Sequence, residues 1–202
     1  ANNYMYNKIS NFDFFKKKNN IILNKNYLNK KRFHGSLTKG IFLNMDYSIK
    51  NYHFKYFIIL SSRNLFYNYL NDKNINNLVK INNKYIYKHK ELPKKTWHWH
   101  SFLKTQLGKY IIENDLFFTF SAHEGLTFDN SACKNIISFL NNHENIRENL
   151  FNWKHCVEEF ALQSICINLS HDFYDIGTGE KTKNKIDELP NDKFIYKTIR
   201  TD

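Results

Sequence analysis

Glu158 and Glu159 are adjacent carboxylates at the start of an apolar stretch. Carboxylates so placed can act as general bases, or can simply complement the positive end of a helix. On a helical wheel Glu158 projects toward the centre of the apolar face and Glu159 toward its edge, which sets at least one of them near the core or a cleft wall. Burial raises a carboxyl pKa and a helix N-terminus lowers it, whereas a general base must be ionised near neutral pH. His123-Glu124 is followed by Gly-Leu-Thr and has no second His four residues on, so the helical zinc-protease motif is absent. His98 and His100 would share one face of a strand and could join Cys133, Cys156 or His155 around a metal, but no Cys-x-x-Cys supports them, and no metal site is expected. Trp97 and Trp99, on the opposite face of such a strand, are either core or a surface for stacking sugars or bases.

Other chemistries are excluded by what is missing. There is no Walker motif, no Gly-x-Gly-x-x-Gly and no Gly-x-Ser-x-Gly elbow, and Gly177-Thr178-Gly179 is too short for a phosphate fingerprint. An Asp-x-Asp, which would hold a divalent ion against a diphosphate, is also lacking. A diphosphate would have to be neutralised by cations, and Lys193, Lys197 and Arg200 form the cluster best placed for this, unless they are only a solvated face.

These residues need elements to position them. Ile41, Phe42, Met45, Ile49 and Tyr52 recur at helical spacing, with Thr38 set to cap the first turn. The run from Phe54 to Leu60 reads as a buried strand ending in a loop, Ser61 to Asn64. Short strands are expected at Tyr85 to Tyr87 and Leu116 to Phe120, a weak helix near Ile75 to Val79, and a helix from Ser101 to about Asn114. Ser121 to Phe128 leads to Asp129, an N-cap for a helix that buries Ala132, Cys133, Ile136, Ile137 and Leu140 and ends near Asn141. Another helix begins near Val157, carries Glu158 and Glu159 in its first turn, and buries Ala161, Leu162, Ile165, Cys166 and Leu169. Phe173 to Ile176 and Phe194 to Tyr196 read as short strands separated by a polar loop. A helix feeding directly into a strand points to an α/β architecture, in which ligands sit beyond the carboxyl ends of strands.

The chain of 202 residues suits one domain, 1–202, in which the Asn/Lys-laden residues 1–35 form a poorly ordered or partial N-terminal part. Hydrophobic residues at 42% and aromatics at 17% exclude wholesale disorder, and no apolar run of about 18 residues is present to cross a bilayer. With only 3 Cys, a disulfide framework is excluded and a reducing compartment is favoured. The formal charge of +11 favours anionic partners, although a lysine-rich and asparagine-rich composition accounts for part of it. Because the chain begins with Ala1 and shows no apolar signal segment, it is expected to be a fragment of a longer protein.

Three segments in order, His53 to Phe66, Phe120 to Leu140 and Cys156 to Ile167, resemble successive blocks of the core-2/I-branching N-acetylglucosaminyltransferases and the peptide O-xylosyltransferases. Leu60-Ser61-Ser62 stands where that family has Leu-Ser-Gly, Phe120-Ser121-Ala122-His123 where it has Ser-Gly-Ser-aromatic, and Val157-Glu158-Glu159 where it has Pro-Asp-Glu. Asn64, Phe66 and Val157 depart from the pattern. The resemblance, best over residues 36–200, implies a GT-A-like, Rossmann-like mixed sheet flanked by helices. It implies an inverting, metal-independent enzyme of polysaccharide biosynthesis, moving a GlcNAc-type or xylose-type sugar from a UDP-sugar to a hydroxyl of a glycan or other acceptor, with no further cofactor. On this reading Glu159 is the catalytic base. Ser61, Ser62, Arg63, Glu158, Lys197 and Arg200 contact the donor, and His123, Glu124, Trp97 and Trp99 the acceptor. Such an enzyme is expected in the cytoplasm of a microbe or virus, or in the Golgi lumen of a eukaryote. Two other classes stand beside it. One is a basic nucleic-acid-binding module that uses Lys and aromatic residues, although no specific nucleic-acid partner is expected because the Lys residues are spread along the chain; the other is a noncatalytic carbohydrate-binding relative.

Overall fold

The first helix, α1 (Ser36–Asn51), forms because Ile41, Phe42 and Met45 line one buried face. The structure is a computed structural model in which residues 34–60, 64–66, 86–92, 99–121, 124–175, 178–182 and 195–199 are described. Thr38 does not cap α1: it is fully buried, and the Ser36 N–H donates instead to Nδ1 of His34 at 3.0 Å. Tyr52 lies just past the helix end and is exposed. The helix stops as the chain turns into β1 (Tyr56–Ile58), which is shorter than the Phe54 to Leu60 run and only half-buried. Leu60 is exposed, so that run is not a fully buried strand. After β1 come β2 (Asn64–Phe66), β3 (Ile86–Tyr87) and a 3-10 turn at His89–Glu91.

The helix expected from Ser101 to Asn114 is broken in two, α2 (Trp99–Phe102) and α3 (Gln106–Glu113). Thr105 makes the break: its Oγ1 donates to the Phe102 carbonyl at 2.7 Å and accepts the Gly108 N–H at 2.9 Å, closing one helix while capping the next. Then follow β4 (Phe118–Thr119), β5 (Leu126–Asp129), α4 (Asn130–Asn142), α5 (Glu144–Phe151), α6 (Ala161–Asn168), β6 (Phe173–Asp175), β7 (Thr178–Thr182) and β8 (Ile195–Ile199).

Helices and small sheets are mixed throughout. One sheet has the order β1-β5-β6 with both pairs antiparallel, Phe57 facing Phe128 and Thr127 facing Tyr174. A second has the order β2-β8-β7, in which β7 and β8 run parallel, and β3 pairs with β4 in a third. Thr178 and Gly179, expected in a polar loop, are paired strand residues opposite Ile195 and Tyr196.

Two elements escape the sequence reading. Strand β5 is buried along Leu126, Thr127 and Phe128 and is the middle strand of its sheet, where only a lead-in to a helix was expected. Helix α5 buries Ile146, Leu150 and Phe151 against α1, α3 and α4. The cap at Asp129 is as expected: its Oδ1 accepts the Ala132 N–H at 2.6 Å, and α4 buries Ala132, Cys133, Ile136, Ile137 and Leu140.

The core between these layers is partly aromatic. Phe102 stacks on Phe160 with ring centroids 5.3 Å apart and meets Phe118 edge-on at 6.2 Å. Each such ring, fully buried, contributes about 1.5–3 kcal/mol. Phe160 is the residue immediately before α6, so this stack anchors the turn that carries Glu158 and Glu159. No helix among the described residues is long and apolar enough to cross a membrane.

Candidate functional site

Three chain segments meet at the end of β1. The Ile59 N–H donates to the Leu126 carbonyl at 2.9 Å and the Gly125 N–H donates to the Ile59 carbonyl at 2.7 Å, so pairing continues past the strand into the turn at Glu124-Gly125. Gly125 has φ of 87°, a left-handed conformation that a side chain would strain. Ser121, at the other side of this turn, donates its N–H to the Glu159 carbonyl at 3.1 Å. The β1 end, the 121–125 region and the Glu158-Glu159 turn are thereby joined by backbone hydrogen bonds.

Glu158 and Glu159 do not open the helix as expected. They lie in the turn from Val157 to Phe160, where the Phe160 and Ala161 N–H groups both donate to the Val157 carbonyl, and α6 starts only at Ala161. The ranking from the helical wheel nevertheless agrees with the structure, since Glu158 is 3% exposed and Glu159 is half-buried. Glu158 is committed locally: its Oε2 accepts the Val157 N–H at 3.0 Å, and the Cys156 thiol is hydrogen-bonded to it. Of the two, Glu159 is the less buried. Glu124, 1% exposed, is a second buried carboxylate beside the Gly125 turn.

The thiols nearby are not nucleophiles. Burial, and then the charges of Glu158 and Glu159, push the Cys156 thiol up to about 12, so it stays protonated at neutral pH. Burial likewise raises Cys133, to about 12, and Cys166. All three are free cysteines.

The remaining predicted residues are distributed as follows. Ser61, Ser62, Arg63, Trp97, His98, His123, Lys193 and Arg200 lie outside the described residues, as does the weak helix near Ile75 to Val79. Trp99 and His100 open helix α2, so the strand alternation that would put His98 with His100 and Trp97 with Trp99 does not hold; His100 is exposed. His155 is exposed on the segment before the Cys156 turn. Lys197 lies on β8 directly opposite Asn64, which was expected in a loop but opens β2, so the strand that follows residues 61–63 pairs with the strand that precedes Arg200. Among the described residues no three His, Cys, Asp or Glu side chains are grouped to hold a metal.

Gln163 was missed by the sequence reading, and Ser121 entered it only as part of the Phe120 to His123 block. Gln163 is fully buried on α6, and its Nε2 donates to the Ser121 carbonyl and Oγ at 3.4 and 3.3 Å. The available signal was two adjacent polar residues, Gln163-Ser164, inside an otherwise apolar helix, since buried polar side chains require partners.

Compared with known proteins, the chain matches no family model, no curated protein and no solved structure.

Proposed function

We propose that the chain is an inverting, metal-independent glycosyltransferase with a GT-A-like mixed sheet, using a UDP-sugar as donor and a hydroxyl group of a glycan or other acceptor. The observation that supports this reading most is that Ile59, Ser121, Gly125 and Glu159, residues from three segments far apart in sequence, take part in main-chain hydrogen bonds that link the segments, one of them to the Glu159 carbonyl, and that Glu159 itself is half-buried. These are the same three segments that resemble the family blocks.

In the reaction Glu159 accepts the proton of the acceptor hydroxyl as that oxygen attacks the anomeric carbon of the donor. The new carbon–oxygen bond forms on the face opposite the breaking one, the configuration inverts, and the electron pair of the broken bond leaves with the diphosphate. Cations stabilise that developing charge best when they are already in position. Lys197 and Arg200, with Arg63, the residue before β2, are assigned this task, and the Asn64–Lys197 pairing supports their proximity. Glu158, buried within the turn, keeps Val157 and Cys156 in place and is assigned to the donor side. Glu124 and His123, with Trp97 and Trp99, are assigned to the acceptor.

The test is Glu159→Gln, which keeps shape and removes the base. Sugar transfer is expected to fall about 10²–10⁴-fold, the usual contribution of a positioned general base. The melting temperature should stay close to that of the wild type. Turnover at the wild-type rate would remove Glu159 from the mechanism.

A further inference from the structure

Helix α6 carries a row of polar side chains that act as a substitute strand for β4. Asn168 takes both backbone groups of Phe117: its Oδ1 accepts the N–H at 2.9 Å and its Nδ2 donates to the carbonyl at 2.8 Å. Ser164 does the same for Thr119, its Oγ accepting the N–H and donating to the carbonyl, both at 3.1 Å. Phe117, Thr119 and Ser121 alternate along the chain, so their backbone groups face one edge, while Phe118 and Thr119 are paired with Tyr87 and Ile86 of β3.

The third rung differs from the other two. The Ser121 carbonyl is taken by Gln163, as expected for the row, but the Ser121 N–H is taken by the main-chain carbonyl of Glu159. Gln163 therefore fixes Ser121, two residues past β4, to which Glu159 is tied. It also donates to the Ser121 hydroxyl, so the Gln163 Nε2 holds two of the three polar groups of that residue. Its contacts are long, and the apolar walls of α6 leave the amide no competing solvent.

We propose that Gln163 is a positioning residue for Glu159: the Gln163–Ser121–Glu159 linkage holds the turn at one register and so sets where the Glu159 carboxylate meets the acceptor. This rests on the reading of Glu159 as the base. A rung that served only to stabilise the fold would be interchangeable with the Asn168 rung at the other end of the row.

The two rungs are separated by comparing Gln163→Met with Asn168→Leu in the full chain, by amide hydrogen exchange and by steady-state kinetics. In Gln163→Met the Ser121 amide, still bonded to the Glu159 carbonyl, should exchange about fivefold faster, because the junction that holds it loses the stabilisation of about one ordinary hydrogen bond. Its kcat should fall about 10–100-fold at unchanged donor KM, because misplacement of a reacting group acts on the chemical step. In Asn168→Leu the faster exchange should move to the Phe117 amide, with kcat within about twofold of the wild type. Unchanged Ser121 exchange in Gln163→Met, or an equal loss of kcat in both variants, would overturn the proposal. A wild-type chain that turns over no donor would instead overturn the transferase reading, and with it a catalytic purpose for the linkage, while the exchange arm would still decide whether Gln163 holds the junction.

Discussion

Glu158 and Glu159 are neighbours in sequence with opposite surroundings, and the difference decides what each can do. Glu158 is buried and accepts the Val157 N–H and the Cys156 thiol, so Glu158→Ala leaves buried donors unpaired. A cost of about 1–3 kcal/mol is expected, larger than for Glu159→Ala, and urea denaturation of the two variants checks the order. The same physics governs the thiol: with its pKa raised to about 12, Cys156 should react with a disulfide reagent at pH 7 only as fast as the protein opens, which a comparison of native and urea-unfolded protein would measure. At this scale the sequence was informative about residue type and poor about partners. The pair Glu158-Glu159 stood out, and its order of burial agrees with the helical wheel although neither residue lies in the helix. Gln163 could not be paired with Ser121 from sequence, because the contact joins residues 42 apart through the packing of α6 on β4.

Elements were legible wherever one apolar face met a cap. Helix α4 shows both, and Asp129→Ala, which removes the acceptor for the Ala132 N–H, should cost about 0.5–2 kcal/mol in thermal or urea unfolding. Helix α1 was legible from Ile41, Phe42 and Met45, but its start was not, because Gly35 and not Thr38 occupies the cap position. A Cβ on Gly35 would lie 1.8 Å from the Leu150 carbonyl oxygen, so Gly35→Ala must push α1 away from the end of α5. That variant should lose at least as much stability as Asp129→Ala, and a melting temperature equal to or above that of the wild type would contradict the packing described. Strand β5 was obscured because four residues running straight into a cap leave too short a pattern to separate from a loop. The break between α2 and α3 was obscured because Thr105 bonds in both directions, a local competition that periodicity does not register.

At the scale of the whole molecule the mixed helix and sheet class was legible from the alternation of helical and strand periods, whereas the pairing order β1-β5-β6 was not, since it depends on contacts between segments about 70 and 45 residues apart. Charge corrects an expectation at this scale: Lys was expected to be spread along the chain, but most Lys and Arg precede residue 99 and most Asp and Glu follow it, so the net basic character belongs to the first half. The three buried thiols link stability to alkaline pH. Their folded pKa values lie above the unfolded value of about 8.5, so the stability they confer is complete below that pH and declines as pH rises through the folded values, near 12 for Cys133 and Cys156. Each thiol adds a slope of up to about 1.4 kcal/mol per pH unit above about pH 8.5, and unfolding free energies measured from pH 7 to 10 should show the fall, flattened in Cys133→Ala. The central claim, that the molecule binds a nucleotide sugar without a metal, is tested most directly by melting the wild-type chain with a panel of nucleotide sugars in the presence and absence of EDTA. A rise in melting temperature with one UDP-sugar that survives EDTA is the predicted result. No rise with any nucleotide sugar, or a rise abolished by EDTA, would contradict the account.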